Sequence, residues 1–453
     1  MTPQAECDRI ARMPESLPTR AEQAGTSIVR FLFCDYSGIV HAKAIAASIL
    51  ERKLREGVGS TLAQTALNVR DELIDIPEMP PVGEVRLVPD PDTYSELPWA
   101  PGAASVICDL IQQDRQPWFA CARSFLKRRA AALGERGLSA LATFELEYYL
   151  GRPTEDGGIA ALPRRPVYSS IGLDEHHPVM LETVRALEAQ GVPVEGILNE
   201  YGAAQQELST APADPLRAAD TQITLRDTAR GVALAHGFRA SFAPKPFLDQ
   251  IGSGAHLHLS LWQDGRNLFH DPSAEGSLSR QGRWFVAGLL EHLPGLMAIT
   301  CPSVNSYQRL QPDSWSGAFR CWGFDNREAP VRVASPYWDR EAGTVNIELK
   351  AVDSSCNPHL ALGAALAAGM DGIDRELQPP QPLAVNPAKL ADPPPSLPLG
   401  LPEVLEALAA DPVLAEAMGP QMLSTYLALK RSEAARYAAA EPEEIAAGYR
   451  YAF

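Results

Sequence analysis

Gly252-Ser-Gly-Ala-His-Leu-His-Leu-Ser260 sets two imidazoles, His256 and His258, two positions apart among small and aliphatic residues. Residues two apart on an extended strand point to the same face. The spacing therefore predicts a strand that carries both rings into one cavity. Two other stretches repeat the pattern with acids. Phe144-Glu-Leu-Glu-Tyr-Tyr-Leu150 holds Glu145 and Glu147, and Val345-Asn-Ile-Glu-Leu-Lys350 holds Glu348 in phase with Lys350. An ionised carboxylate buried without a partner loses much of its solvation energy, so such strands need a counter-charge. With Glu195, Glu200 and Glu207 added, the donors are mostly oxygen with one imidazole. That set suits a hard divalent ion, Mg²⁺ or Mn²⁺, rather than zinc or copper.

Length and composition bound the reading. A chain of 453 residues exceeds one hydrophobic core, so two or more domains are expected. Its 45% hydrophobic and 21% charged residues are those of an ordinary globular protein. A net charge of −16 disfavours nucleic acid and anionic membrane as partners. No apolar run reaches the length of a membrane span. The start of the chain lacks the basic and apolar regions of a signal peptide, so a cytoplasmic location is expected. The cysteines (Cys7, Cys34, Cys108, Cys121, Cys301, Cys321 and Cys356) never fall as Cys-x-x-Cys, which predicts reduced thiols and no thiolate zinc site.

Along the chain, residues 1–20 are polar and proline-containing and are expected to be poorly ordered. Residues 27–38 and 39–45 read as a hairpin, and 84–110 as two further strands around Pro89-Asp-Pro-Asp92. A small strand-rich domain is placed at 21–115 and a larger one at 116–453. Helices are predicted at 122–137, 174–190, 214–236, 277–293, 358–374, 402–411 and 413–440. The proline-dense 378–400 reads as an extended connection.

Three arginines in the C-terminal half, Arg309, Arg327 and Arg332, add guanidinium forks suited to phosphate and carboxylate. Acids that hold divalent ions together with arginines form an apparatus for phosphoryl transfer, in which catalysis is positioning and charge neutralisation. Neither a Gly-x-x-x-x-Gly-Lys-Ser/Thr loop nor a Gly-x-Gly-x-x-Gly turn is present, so metals and arginines would have to grip the nucleotide.

Several motifs in register carry a family resemblance: Gly252-Ser-Gly-Ala-His-Leu-His258, Phe242-Ala-Pro-Lys-Pro246, Asn305-Ser-Tyr-Gln-Arg-Leu310, Asn326-Arg327 and Asn357-Pro-His-Leu-Ala-Leu362. From about residue 27 onward the chain resembles the glutamine synthetase family. The resemblance implies an α+β fold, with a small β-grasp-like N-terminal domain and a large catalytic domain built on a curved antiparallel sheet with surrounding helices. It implies that Glu147, Glu200 and Glu207 hold one divalent ion and Glu145, His256 and Glu348 a second. Glu195, His258 and Ser260, with Arg332, fall where the family contacts ATP. Arg309 and Gly252 match contacts to glutamate, and Arg327 and Arg332 match arginines on the transferring phosphoryl group. Active sites between subunits, in a dodecamer of two stacked hexameric rings, follow from the same likeness.

Departures narrow the chemistry. Where the family's flap carries a glutamate that deprotonates ammonium, this chain has Trp315, and Val58 stands near the position of an ammonium-binding aspartate. Lys350 replaces an arginine on the acid substrate, and a lysine cannot make its bidentate fork. The resulting expectation is an ATP-dependent ligase that forms a γ-glutamyl amide, through γ-glutamyl phosphate, from glutamate or a close analogue and a primary amine other than ammonia. A polyamine's second charge calls for acids rather than Trp315 and Val58. Two alternatives stand beside this one: a true glutamine synthetase with Asp313 as relocated base, and a non-catalytic relative kept for assembly or sensing.

Overall fold

The computed structural model describes residues 16–155 and 157–453. It is an α+β protein with two sheets. The N-terminal sheet has the order β2-β1-β6-β4-β3. Its strands are β1 (Ile28–Cys34), β2 (Val40–Ala46), β3 (Val58–Thr61), β4 (Glu84–Pro89), β5 (Ser95–Glu96) and β6 (Ala103–Ile111), with β5 paired to β6. β1 and β2 form the expected hairpin, while β1 and β6 run parallel. The first helix among the described residues, Leu17–Gln23, is capped by Ser16, so residues 17–20 are helical where irregular chain is expected. The rest of the 1–20 expectation, and Cys7, lie outside the described residues.

The second sheet has the order β14-β15-β16-β12-β7-β10-β9, with β8 and β11 paired to β7 and β13 to β12. Its strands are β7 (Ser139–Pro153), β8 (Ile159–Ala161), β9 (Val194–Asn199), β10 (Gln205–Thr210), β11 (Arg239–Ser241), β12 (Ala255–Gln263), β13 (Arg266–Asn267), β14 (Trp322–Phe324), β15 (Val331–Val333) and β16 (Ile347–Leu349). All its pairings are antiparallel except β14 with β15.

Local chemistry fixes the helix ends. Asp214 and Asn357 cap Pro215–Ala235 and Pro358–Asp374 by accepting from backbone N–H groups of the first turn, each followed by proline at the first helical position. Ser169 starts Ser170–Ala189 earlier than the 174 read from periodicity. The helix predicted to end at 293 runs over Arg280–Thr300, through Pro294, because Leu296, Met297 and Ile299 continue its buried face. The long helix predicted at 413–440 is two pieces, Pro412–Met418 and Pro420–Arg436, broken at Gly419, whose φ is 79°. A last helix, Pro442–Ala452, buries Tyr449, and Phe453 beside it is also buried. The six described cysteines are free and buried. Among the described residues no helix is long and apolar enough to cross a membrane.

A buried ion cluster joins the two sheets. Arg123 reaches Asp90 at 2.7 Å, Asp220 at 2.8 Å and Asp109 at 3.2 Å, and His359 Nε2 meets Asp220 Oδ1 at 2.8 Å. Asp90 and Asp109 belong to the N-terminal sheet region. Arg123, Asp220 and His359 sit on three helices of the larger domain.

Candidate active site

Five strands of the larger sheet alternate in the same way. On β7, Phe144, Leu146 and Tyr148 face the core, which leaves Glu145 and Glu147 on the opposite face. On β12, Leu257 and Leu259 are buried between His256, His258 and Ser260. β16 places Glu348 between Ile347 and Leu349, β15 places Arg332 between Val331 and Val333, and β10 places Glu207 beside Leu208. Pairing then sets His256 opposite Glu145, His258 and Arg332 each opposite Glu348, and Glu207 opposite Glu147. One sheet face thus gathers residues as far apart in the chain as Glu145 and Glu348, as the strand spacing requires.

Glu348 is the centre of one half of this face. His256 Nδ1 lies 3.3 Å from its Oε1, Lys350 Nζ 3.6 Å and His258 Nε2 4.0 Å, and Arg332 Nε contacts Oε2. Burial opposes ionisation of Glu348, yet Lys350, His256, His258 and Arg332 hold its carboxyl far below the usual range. His258 Nε2 stands 3.3 Å from Glu145 Oε2, and its Nδ1 meets Asn346 Oδ1 at 2.8 Å. Burial disfavours the imidazolium, but Glu145 and Glu348 carry the His258 pKa up to about 9. Both Glu348 oxygens and His258 Nε2 are buried without an aligned hydrogen bond. Glu145, His258 and Glu348 each offer a ligand atom within 4.8 Å of the others, which fits a hard divalent ion. His256, expected in that trio, is adjacent, with its Nε2 3.8 Å from Glu147 Oε1.

The second half is acidic. Glu147 Oε2 accepts from Gly254 N at 2.9 Å and from Gln205 Nε2 at 3.2 Å. Tyr201 N donates to Glu200 Oε2 at 3.1 Å and the Tyr168 hydroxyl to Oε1 at 3.3 Å. Burial raises the carboxyls of Glu147 and Glu200. It pushes Glu207 up to about 9, helped by the charges of Glu147, Glu145 and Glu200. A cation seated among them relieves that repulsion. Arg309 closes the wall: Nη1 donates to Val352 O at 3.1 Å, and Nη2 to Lys350 O at 3.2 Å. Lys350 is buried on the same face, 4% exposed, with Nζ 3.5 Å from His256 Nε2. Gly252 is required where it stands, because a Cβ there would sit 2.5 Å from Arg309 Cγ.

The flap, residues 311–317, reaches the acidic half through Trp315. The Trp315 ring meets Tyr201 edge-on at 5.3 Å and 88°, and Tyr201 meets Tyr168 at 6.2 Å and 70°. Trp315 and Tyr168 both hold positive φ, 55° and 56°. Trp315 N donates to Glu328 Oε1 at 3.2 Å. Arg327 is exposed, and its charge acts on Glu200.

Three expected residues stand apart from the cluster. Glu195 is exposed, at the register irregularity between β9 and β10. Ser260 shares the face of the histidines, but its hydroxyl accepts from Trp262 Nε1 at 2.9 Å. Val58 lies in β3 opposite Leu87, in the other sheet. Sequence reasoning missed Tyr168, Tyr201, Gln205 and Glu328 as site residues. Tyr201 and Glu328 directly follow Glu200 and Arg327, and that adjacency was the available signal.

Comparison with known proteins follows the same division. A glutamine synthetase N-terminal domain model matches residues 16–118, and a glutamine synthetase catalytic domain model matches 119–447. The chain is similar to a gamma-glutamylpolyamine synthetase of Streptomyces coelicolor, 35% identical across 95% of this chain and 94% of that one. It is also 35% identical to a glutamine synthetase of Thermus thermophilus, across 89% and 91% of the two chains. Among solved structures it resembles a novel glutamine synthase homolog, with TM-score 0.83, 32% identity and coverage of 94% and 99%. It resembles a GmaS–ADP complex with TM-score 0.84, 30% identity and coverage of 95% and 98%.

Proposed function

The chain belongs to the glutamine synthetase family, and from that premise we propose an ATP-dependent carbon–nitrogen ligase that makes a γ-glutamyl amide from glutamate, or a close analogue, and a primary amine other than ammonia. The observation that carries this reading is the Trp315–Tyr201 edge-to-face pair at the flap. An ammonium ion is recognised by carboxylates. Two aromatic rings at right angles instead favour a nitrogen that carries carbon, through apolar contact and the attraction of a cation to a ring face.

In this proposal Glu145, His256 or His258, and Glu348 hold one divalent ion, and Glu147, Glu200 and Glu207 hold another. Mg²⁺ or Mn²⁺ there supplies charge neutralisation for phosphoryl transfer from ATP. Arg309, anchored on the Lys350 carbonyl, and Lys350 itself grip the acid substrate, with Gly252 leaving room for its backbone. Arg332 and the exposed Arg327 meet the transferring phosphoryl group. Glu195, His258 and Ser260 line the nucleotide side. Val58, set in the other sheet of this chain, would enter from the N-terminal domain of an adjacent copy. A dodecamer of two stacked rings is part of the same proposal.

The test is phosphate release by the protein with ATP, Mg²⁺ and glutamate against ammonia, ethylamine, ethanolamine, benzylamine and putrescine. Turnover with one or more carbon-bearing amines above that with ammonia is expected. Preference for ammonia over every amine overturns the proposal. Putrescine as the best substrate would narrow the amine class to polyamines.

A further inference from the structure

A flap without a glutamate leaves one chemical problem open, and this inference rests on the ligase reading just given. An amine arrives at neutral pH as an ammonium, with no lone pair to attack an acyl phosphate, so some group must take its proton. Trp315 cannot. Asp313, the acid of the flap itself, accepts a hydrogen bond from Asn386 Nδ2 at 2.8 Å and is held against the proline-rich strap.

Glu328 is differently placed. It is 7% exposed and lies on the segment between β14 and β15, directly after Arg327. Its Oε1 accepts the Trp315 N–H at 3.2 Å, which docks the carboxylate on the residue where a flap acid would stand. Its other oxygen has no hydrogen-bond partner among the described residues. The Trp315 ring in turn meets Tyr201, the neighbour of Glu200. A relay of contacts thus runs from the Glu328 carboxylate through Trp315 and Tyr201 to Glu200 of the acidic half.

We propose that Glu328 is the general base of the amine half-reaction, delivered from beneath the flap instead of from it. Its carboxylate takes one proton from the bound ammonium, and the freed lone pair attacks the γ-carbonyl carbon. The C–N bond forms, the C–O bond to phosphate breaks, and the surplus proton on nitrogen leaves with the phosphate. Nothing is oxidised or reduced. Burial raises the Glu328 carboxyl, as does Asp313, against the Trp315 hydrogen bond and the charges of Lys350 and Lys389. A raised carboxyl is better matched to accepting a proton near neutrality.

Hydroxylamine tests this directly, because it is already unprotonated at neutral pH and needs no base. Glu328→Gln is compared with the unmodified protein, each with ATP, Mg²⁺ and glutamate, using ethylamine or hydroxylamine as nucleophile. Amide formation with ethylamine should fall about 100-fold or more while hydroxamate formation changes by less than about threefold. Equal loss with both nucleophiles assigns Glu328 a structural role and overturns the inference, as does retention of both. Should Glu328→Gln fail to fold, Glu328→Asp draws the charge back by one methylene and is expected to show the same selective loss. If the unmodified protein prefers ammonia to every amine, the amine-ligase reading fails. The same comparison of ammonia with hydroxylamine still decides Glu328. A protein inactive with all nucleophiles overturns both.

Discussion

Glu348 faces His258 across the β16–β12 pairing, and neither of its buried oxygens completes an aligned hydrogen bond although four cationic or ionisable groups surround it. In the proposed reading a divalent ion completes the surroundings of this buried acid. Removing it also strands Arg332 and Lys350, and breaking a buried ion pair costs about 3–5 kcal/mol. Glu348→Gln should therefore lose most of the rise in Tm that Mn²⁺ gives the unmodified protein, and should melt earlier even without metal. A variant that Mn²⁺ stabilises as strongly as the parent would remove Glu348 from the ligand set. Thermal melts with and without Mn²⁺ suffice.

Tyr201 forms the corner between Tyr168 and Trp315. Losing one aromatic wall for a bound cation costs about 1–2 kcal/mol, or roughly tenfold in binding. Tyr201→Ala should raise the KM for the preferred amine by about tenfold with little change in the KM for ATP, and Tyr201→Phe should restore it. Steady-state kinetics in which Ala and Phe behave alike would assign the residue to packing.

The site's strand faces were legible because period-2 alternation is a local property. Glu145, Glu147, His256, His258 and Glu348 announce their common face by spacing alone, and the register merely aligns them. Arg123 carried no such local signal. Its three aspartates lie at positions 90, 109 and 220, and no local pattern links them. Glu328 and Tyr201 went unread for a different reason. Their roles depend on where a flap backbone turns at positive φ, a property of loop geometry that composition does not encode. The pairing of Val58 with Leu87 in the other sheet was equally unreadable, since it joins strands almost thirty residues apart.

His292 joins two helices by two acids: Nδ1 meets Asp411 Oδ2 at 2.7 Å and Nε2 meets Asp371 Oδ2 at 3.0 Å. Burial lowers its pKa, but the hydrogen bonds to Asp411 and Asp371 outweigh that and leave it above 6.5. A raised folded pKa means the pair's stabilisation is fully present below about 6.5 and is lost as pH rises through the folded value. The gap in Tm between the parent and His292→Gln should accordingly be widest near pH 6 and narrow toward alkaline pH. A gap that widens as pH rises would contradict the assignment.

Gly252 and Arg309 are packed with no room for a methyl group between them. A Cβ on Gly252 would lie 2.5 Å from Arg309 Cγ and 2.8 Å from Pro244 O, inside any real contact distance. The carbonyl cannot retreat, because Ser253 N is bonded to it at 2.8 Å. Arg309 must therefore move, and its guanidinium bonds to Val352 O, Lys350 O and His256 Nε2 move with it. Gly252 O also accepts from Gln205 Nε2 at 3.0 Å, so the strain passes to the side chain that supports Glu147. Gly252→Ala should raise the KM for the acid substrate by about tenfold or more, at a stability cost of about 1–3 kcal/mol typical of overpacking. The KM for ATP should change much less, since the displaced arginine is assigned to the acid. Kinetics with glutamate and ATP varied separately distinguish the two, and an equal rise in both would detach Arg309 from the acid substrate.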